Sequence, residues 1–212
     1  MRSISIRTTG LGIKLNLKDD KKSRIVTAAA HIFSQRGYSG TSVADIAVQA
    51  GIGKGTIYEY FSSKEDLFFA VFEWYANVTG GGLKVDISAL GGSATQRLEA
   101  LNDAIVNLWD EIQDITALTM EFWAASSASV MRQRFRDAFK SLYQDLREMV
   151  SSLVQSGIDQ GEFSRDIDAQ AVASALVGTW DALFLQAWFD PEFKPLETAQ
   201  HFLKIVIRGL KS

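Results

Sequence analysis

Apolar residues recur along this chain at intervals of three and four, and no extended run alternates apolar with polar between hairpin signals. That period predicts helices and argues against strands. Ile25, Ala28, Ala29, Ile32 and Phe33 mark one face of a helix over 19–37, closed by Gly37. Ser42, with Asp45 three residues on, has the form of a capping box opening a short second helix that carries Val43, Ile46, Ala47 and Ala50 as far as Gly51. A third short helix is expected at about 54–61, with Ile57 and Phe61 four apart and both inward. Ser63, followed by Asp66, opens a fourth, in which Leu67, Val71, Trp74 and Tyr75 repeat at helical spacing. "GGGLKVDISALGGS", residues 80–93, breaks the pattern and reads as a flexible joint. Helices are expected again at about 94–113, 115–127, 130–156, 168–189 and 195–210, and proline occurs only at 191 and 195. The fold class expected is all-α.

The second and third helices, separated by "GIG" and preceded by a longer one, have helix-turn-helix spacing. In such a unit the first short helix braces and the second enters a major groove. Gly51 suits a left-handed turn. Gly55 removes a side chain where backbone would approach base edges or phosphates. With Ile57 and Phe61 turned inward, Lys54, Thr56, Tyr58 and Tyr60 project elsewhere, and Lys64 lies just past the helix end. Core rings in a plain three-helix bundle would be the duller account of Tyr58 and Tyr60, but it leaves the surrounding glycines and lysines without a role.

Charge sharpens this picture. Through residue 64 there are ten Lys/Arg against four Asp/Glu, and beyond it twelve against twenty-one, so the net −3 hides a basic head on an acidic body. Residues 1–18 are basic without an acidic residue and are expected to form a flexible basic arm, most plainly an unstructured tail. The expected division is thus 1–18 as arm, 19–66 as helix-turn-helix DNA-binding domain, and 67–212 as a helical ligand-binding and dimerisation domain.

Composition mainly removes alternatives. With Cys 0 and two histidines, His31 and His201, disulfides, thiolate metal sites and cysteine nucleophiles are excluded, and no cofactor or metal is expected. "GIGKGT" lacks the spacing of a phosphate-binding loop and follows no strand. Neither paired acids with histidines nor a nucleophile triad stands out, so the chain is not expected to be an enzyme. No stretch approaches about 20 uninterrupted apolar residues, and the first residues do not have a signal peptide's apolar core. A cytoplasmic protein is expected.

The stretch "TSVADIAVQAGIGKGTIYEYFSSKEDLF", with "AAAHIFSQRGYSGTSVADIA" overlapping it upstream, resembles the DNA-binding signature of the tetracycline-repressor (TetR) family of bacterial regulators. The likeness runs from about residue 22 to 72; beyond residue 80 only the all-helical layout and length are similar. The resemblance implies that Lys54 and Gly55 touch bases, that Thr56 meets a base or a nearby phosphate, that Tyr58, Tyr60 and Lys64 grip the backbone, and that Thr41 with Ser42 anchors the second helix to phosphate. Tyr60 departs from the histidine frequent at its place, although a phenol still donates to phosphate.

A head of about sixty residues leaves the body to dimerise and to sense. Val172, Leu176, Trp180, Leu183, Phe184 and Trp188 line one late helix, and Phe202, Ile205, Val206 and Leu210 the other. Paired with a symmetry mate they would form a four-helix interface, as the resemblance also implies, making a homodimer on a double-stranded, pseudo-palindromic operator. Trp109, Met120, Phe122, Trp123, Trp180, Phe184 and Trp188 could line a cavity for a small hydrophobic or aromatic effector, while core packing is the commoner role of such stripes. Glu121 and Asp181 interrupt apolar runs and would need a partner if buried; a cationic ligand, a salt bridge and simple exposure all remain open. Repression by occupancy is expected, with ligand shifting the fourth helix. The alternative is a DNA-binding regulator that activates, or that answers to a protein partner instead of a small molecule.

Overall fold

The computed structural model describes residues 21–77, 91–113, 116–128 and 130–211, so the basic arm and most of the joint lie outside the described residues. Among these the chain is helical, with no strand: α1 (Lys21–Arg36), α2 (Val43–Ala50), α3 (Lys54–Tyr58), α4 (Lys64–Ala76), α5 (Ala94–Asn107), α6 (Trp109–Ile112), α7 (Ala117–Ala128), α8 (Arg132–Asp159), α9 (Ala169–Phe189) and α10 (Pro195–Leu210). Contacts divide them into two compact units. Of the described residues, one holds 21–77 with those between 111 and 139, the other 91–110 with 140–211.

In the first unit, α1 packs on α2 and α4 through Ile25, Ala29, Phe33, Ile46 and Leu67. The apolar run "LFFAVFEWY" in α4 is greasier than one buried face requires, because its rings serve two sides. Phe68 meets Phe33 of α1 at 5.1 Å and Phe122 of α7 at the same separation. Phe72 meets Phe122, Phe135 and Phe139, mostly edge to face. Such pairs add about 0.5–1.5 kcal/mol each beyond burial. Phe122, considered above as a cavity residue, is fully buried in this aromatic core. Arg134 brackets the cluster from outside, stacking its guanidinium 3.6 Å from the Phe69 ring while pairing with Asp66 at 3.2 Å.

In the second unit, α10 packs on α5 and α9. Pro195 starts α10 where a missing N–H costs nothing, and Asp168 caps α9 by accepting from Gln170 and Ala171. Gly157 lets Phe163 and Ala94 close on α8, for a Cβ there would stand 2.2 Å from the Phe163 ring. By length and composition α9 alone among the described residues could cross a membrane; its Leu176, Val177, Trp180 and Leu183 are instead core residues of this unit.

Two helix boundaries differ from the periodicity. The helix expected over 94–113 breaks at Leu108, whose N–H reaches Ile105 at 3.2 Å in a tightened turn, separating α5 from α6. α3 ends at Tyr58, not 61, yet Tyr60 and Phe61 N–H both donate to the Ile57 carbonyl at 3.0 Å, and that extra turn brings Phe61 inward.

Candidate functional site

One glycine sets the angle between α2 and α3. Gly51 has φ +66°, where a side chain would be strained, and its N–H caps α2 on the Ala47 and Val48 carbonyls. Ile52 N–H then donates to the Ala47 carbonyl at 3.0 Å, and Arg24 of α1 donates to the Ala50 carbonyl, also at 3.0 Å. Three carbonyls at the end of α2, those of Ala47, Val48 and Ala50, are thus engaged. At the other end Ser42 and Asp45 form the reciprocal capping box: Asp45 N–H donates to Ser42 Oγ at 3.2 Å and Ser42 N–H to Asp45 Oδ2 at 2.9 Å. The Ser42 hydroxyl, then its N–H, holds the Asp45 carboxyl below the usual carboxylate range, with Arg36 adding a smaller pull.

With Ile57 buried, α3 turns its other side out. Lys54 and Tyr58, one turn apart, share that side, the ammonium lying 5.9 Å from the ring centroid. Tyr58 is 48% exposed and Tyr60 40%, unusual for rings that a core could use. Gly55 is exposed, and a Cβ on it would meet nothing within 4 Å, so backbone alone forms the surface there. Thr56 is half-buried and Glu59 exposed. Cation, bare backbone and phenol at this spacing suit a flexible anionic polymer poorly and a rigid groove well, since a five-residue helix fixes their separation.

Two flanking residues are placed otherwise than a simple outward display. Thr41 is buried, and its hydroxyl donates to the Gly37 carbonyl at 2.8 Å, stitching the turn between α1 and α2. Lys64 is half-buried with Nζ 4.2 Å from the Tyr38 ring centroid. Burial lowers its pKa, against the charges of Glu65 and Glu121. Burial likewise raises the Tyr38 phenol, helped by its hydrogen bond to Glu65. Sequence reasoning passed over Tyr38 and Arg24; their roles are spatial pairings with no local signal.

The expected effector residues are divided between the units. Met120, Glu121 and Trp123, all half-buried on α7, belong to the first. There Glu121 Oε1 lies 2.8 Å from where a Cβ on Gly37 would stand, so this acid faces the end of α1. Trp109, Trp180, Asp181 and Phe184 belong to the second. Trp180 is a core residue, its indole N–H donating to Asn102 Oδ1 at 3.0 Å. Trp109 and Phe184 stack at 5.8 Å, and Tyr143 donates to Asp181 Oδ2 at 2.7 Å. Burial raises the Asp181 carboxyl above its ordinary value, the Tyr143 hydrogen bond opposing. Elsewhere in this unit a polar cleft of about 750 Å³, lined by Ser151, Gln155, Asp168 and Gln170 among others, shares none of these residues.

Comparison with known proteins agrees at both ends of the chain. Residues 25–71 match the model for bacterial regulatory proteins of the tetR family, and residues 94–210 match that for the C-terminal region of BetI-type transcriptional repressors. The HTH-type transcriptional repressor KstR2 of Rhodococcus jostii (strain RHA1) is 27% identical over 208 residues, covering 92% of this chain and 93% of the relative. The fold is shared with a TetR transcription regulator from Haloarcula marismortui (TM-score 0.75, 22% identity, 90% of this chain and 98% of that one). It is shared also with the Bacillus subtilis regulator FadR in complex with stearoyl-CoA (TM-score 0.70, 21% identity, 88% and 97%).

Proposed function

This chain belongs to the TetR family of helix-turn-helix transcriptional regulators, and from that premise we propose that it is a repressor. It grips a pseudo-palindromic operator as a homodimer in the cytoplasm and releases it when a small hydrophobic or amphipathic ligand occupies its body. The observation that carries the DNA half is the split character of α3, with Ile57 and Phe61 in the core while Lys54, Gly55 and Tyr58 face out. Lys54 reads a guanine edge through O6 or N7. Gly55 lets the backbone approach closely, with Thr56 beside it. Tyr58, Tyr60 and Lys64 hold phosphates, the last by leaving the face of Tyr38. Ser42 presents the start of α2 to phosphate, and Thr41 contributes through the turn its hydroxyl fixes.

Dimerisation is supported by apolar surface that the single chain leaves uncovered. Phe189 is 70% exposed, Ile205 65%, and Trp188 and Phe202 37% each, all on α9 and α10. Their burial against a symmetry mate would remove this surface from water and set two recognition helices at a fixed separation.

Ligand control is supported by the stearoyl-CoA complex of the Bacillus subtilis relative and by the coupling built into the first unit. Phe68, Phe72 and Tyr75 of α4 interlock with Phe122 of α7 and Phe135 of α8. A shift in α7 or α8 therefore cannot leave α4, or the head it carries, unmoved. A ligand that favours the released arrangement by about 1–3 kcal/mol would give partial release, and a complete switch needs more. Deleting the gene tests the sign of control: transcripts from promoters carrying the bound site should rise, whereas a fall would make the protein an activator.

A further inference from the structure

Arg134 stands in the first turn of α8, 68 positions along the chain from Asp66, yet its Nη1 lies 3.2 Å from Asp66 Oδ1. The same guanidinium is 3.6 Å from the centroid of the Phe69 ring, one turn further along α4. Asp66 turns its other oxygen to the head. Oδ2 accepts the Ser62 N–H at 3.1 Å and the Ser62 hydroxyl at 3.4 Å, while Asp66 N–H donates to Ser63 Oγ at 3.1 Å. Ser62 and Ser63 are the whole of the link between the buried Phe61 and Lys64, the first residue of α4. One carboxylate therefore ties the turn that leaves the recognition helix to an arginine from outside the helix-turn-helix.

Folding stability is a poor account of this pair. Its side chains are 47% and 33% exposed, and an ion pair so placed adds little to stability. It fixes geometry more firmly than energy. A planar guanidinium that stacks on a ring while donating to a carboxylate is held in one plane, unlike an ammonium on a flexible stem. Phe69 is itself buried, packed edge to face on Phe135 at 5.2 Å. α3 has only five residues and no side-chain cap at its start. Its direction depends on the turns at its two ends, and the turn into α4 is the one Arg134 secures. Reading a base edge tolerates about 0.5 Å of misplacement, whereas attraction to phosphates is far less particular.

Resting on the DNA-binding reading above, we propose that Arg134 is a positioning residue for operator recognition, which sets the angle of α3 by holding Asp66 and the Ser62–Ser63 turn.

The test measures affinity of the full chain for its selected operator and for a scrambled duplex, by anisotropy, beside thermal melts. Arg134→Gln should weaken operator binding by about five-fold or more and scrambled binding by less than about two-fold, with the melting temperature within about 3 °C. Asp66→Asn keeps an oxygen for the Ser62 N–H but no charge for the arginine, and should lose operator binding to a similar degree. With both substitutions together the losses should coincide and not multiply. Arg134→Lys, which keeps the charge and gives up the planar stack, should recover only part of the loss. Unchanged or increased operator affinity in Arg134→Gln, equal losses on both duplexes, losses that multiply, or loss of the cooperative melt would overturn the inference. Failure of the unmodified protein to select any sequence would overturn the DNA-binding reading and this inference with it, whereas a selected operator indifferent to Arg134 would overturn this inference alone.

Discussion

Tyr58 offers the cleanest test in the head of grip against reading. Half of its surface faces water although Ile57 beside it is sealed, and its phenol can donate to phosphate without reporting sequence. Tyr58→Phe is expected to weaken binding to all DNA sequences alike, as measured by anisotropy on operator and scrambled duplexes; a loss confined to one base pair would contradict the phosphate role. Lys54→Ala should instead relax preference at one base pair per half-site in a binding-site selection, by about 1–3 kcal/mol at that pair. Ser42→Ala should cost about 1 kcal/mol by removing the cap, read as a melting temperature lower by a few degrees. Because Asp45 is held below its ordinary value, the cap's contribution is full above about pH 4 and fades as the pH falls through the depressed value. The difference between Ser42→Ala and the unmodified protein should therefore shrink in acid. Much of this scale was legible in the sequence: the Ser42–Asp45 spacing, the left-handed Gly51 and the inward Ile57 and Phe61 are local consequences of residue type. Thr41 and Lys64 were not, since the Gly37 carbonyl and the Tyr38 ring that occupy them are set by the packing of the turn.

At the scale of elements, α10 offers the sharpest test. Ala199, Leu203, Ile207 and Leu210 form its inner face and Phe202 and Ile205 its outer one. Ile205→Asp should leave the inner face intact, convert the protein to a monomer in sedimentation or light scattering, and weaken operator binding at least ten-fold; a dimer persisting at micromolar concentration would place the interface elsewhere. Periodicity revealed that α9 and α10 are apolar on broad faces but could not say which residues pack inside their own chain. Leu176, Trp180 and Leu183 do, whereas Trp188 and Phe202 stay partly exposed. The break at Leu108 was likewise hidden, because a turn tightened by one residue leaves the apolar spacing on either side almost undisturbed. α4 illustrates the converse. Its unusual density of rings was visible in the sequence, and its cause, packing against α1 on one side and α7 and α8 on the other, required coordinates.

For the whole molecule, the basic head on an acidic body predicts a binding energy dominated by phosphate contacts. If about six phosphates are held per complex, affinity should fall about 10³-fold between 50 and 200 mM salt; a flat response would argue against DNA as partner. The helix-turn-helix was legible because every requirement of its geometry, from cap to glycine to recognition helix, sits within some thirty consecutive residues. The proposed effector site was not. Its candidate residues come from helices far apart in sequence, and Tyr143 and Asp181 meet across 38 positions. The most direct measurement of the central claim is affinity selection of fragmented genomic DNA by the unmodified protein, followed by sequencing. The account expects enrichment of an inverted repeat whose half-sites recur at a whole number of helical turns, with selectivity at one pair per half-site relaxed in Lys54→Ala. Enrichment of no sequence, or of one indifferent to Lys54, would contradict it.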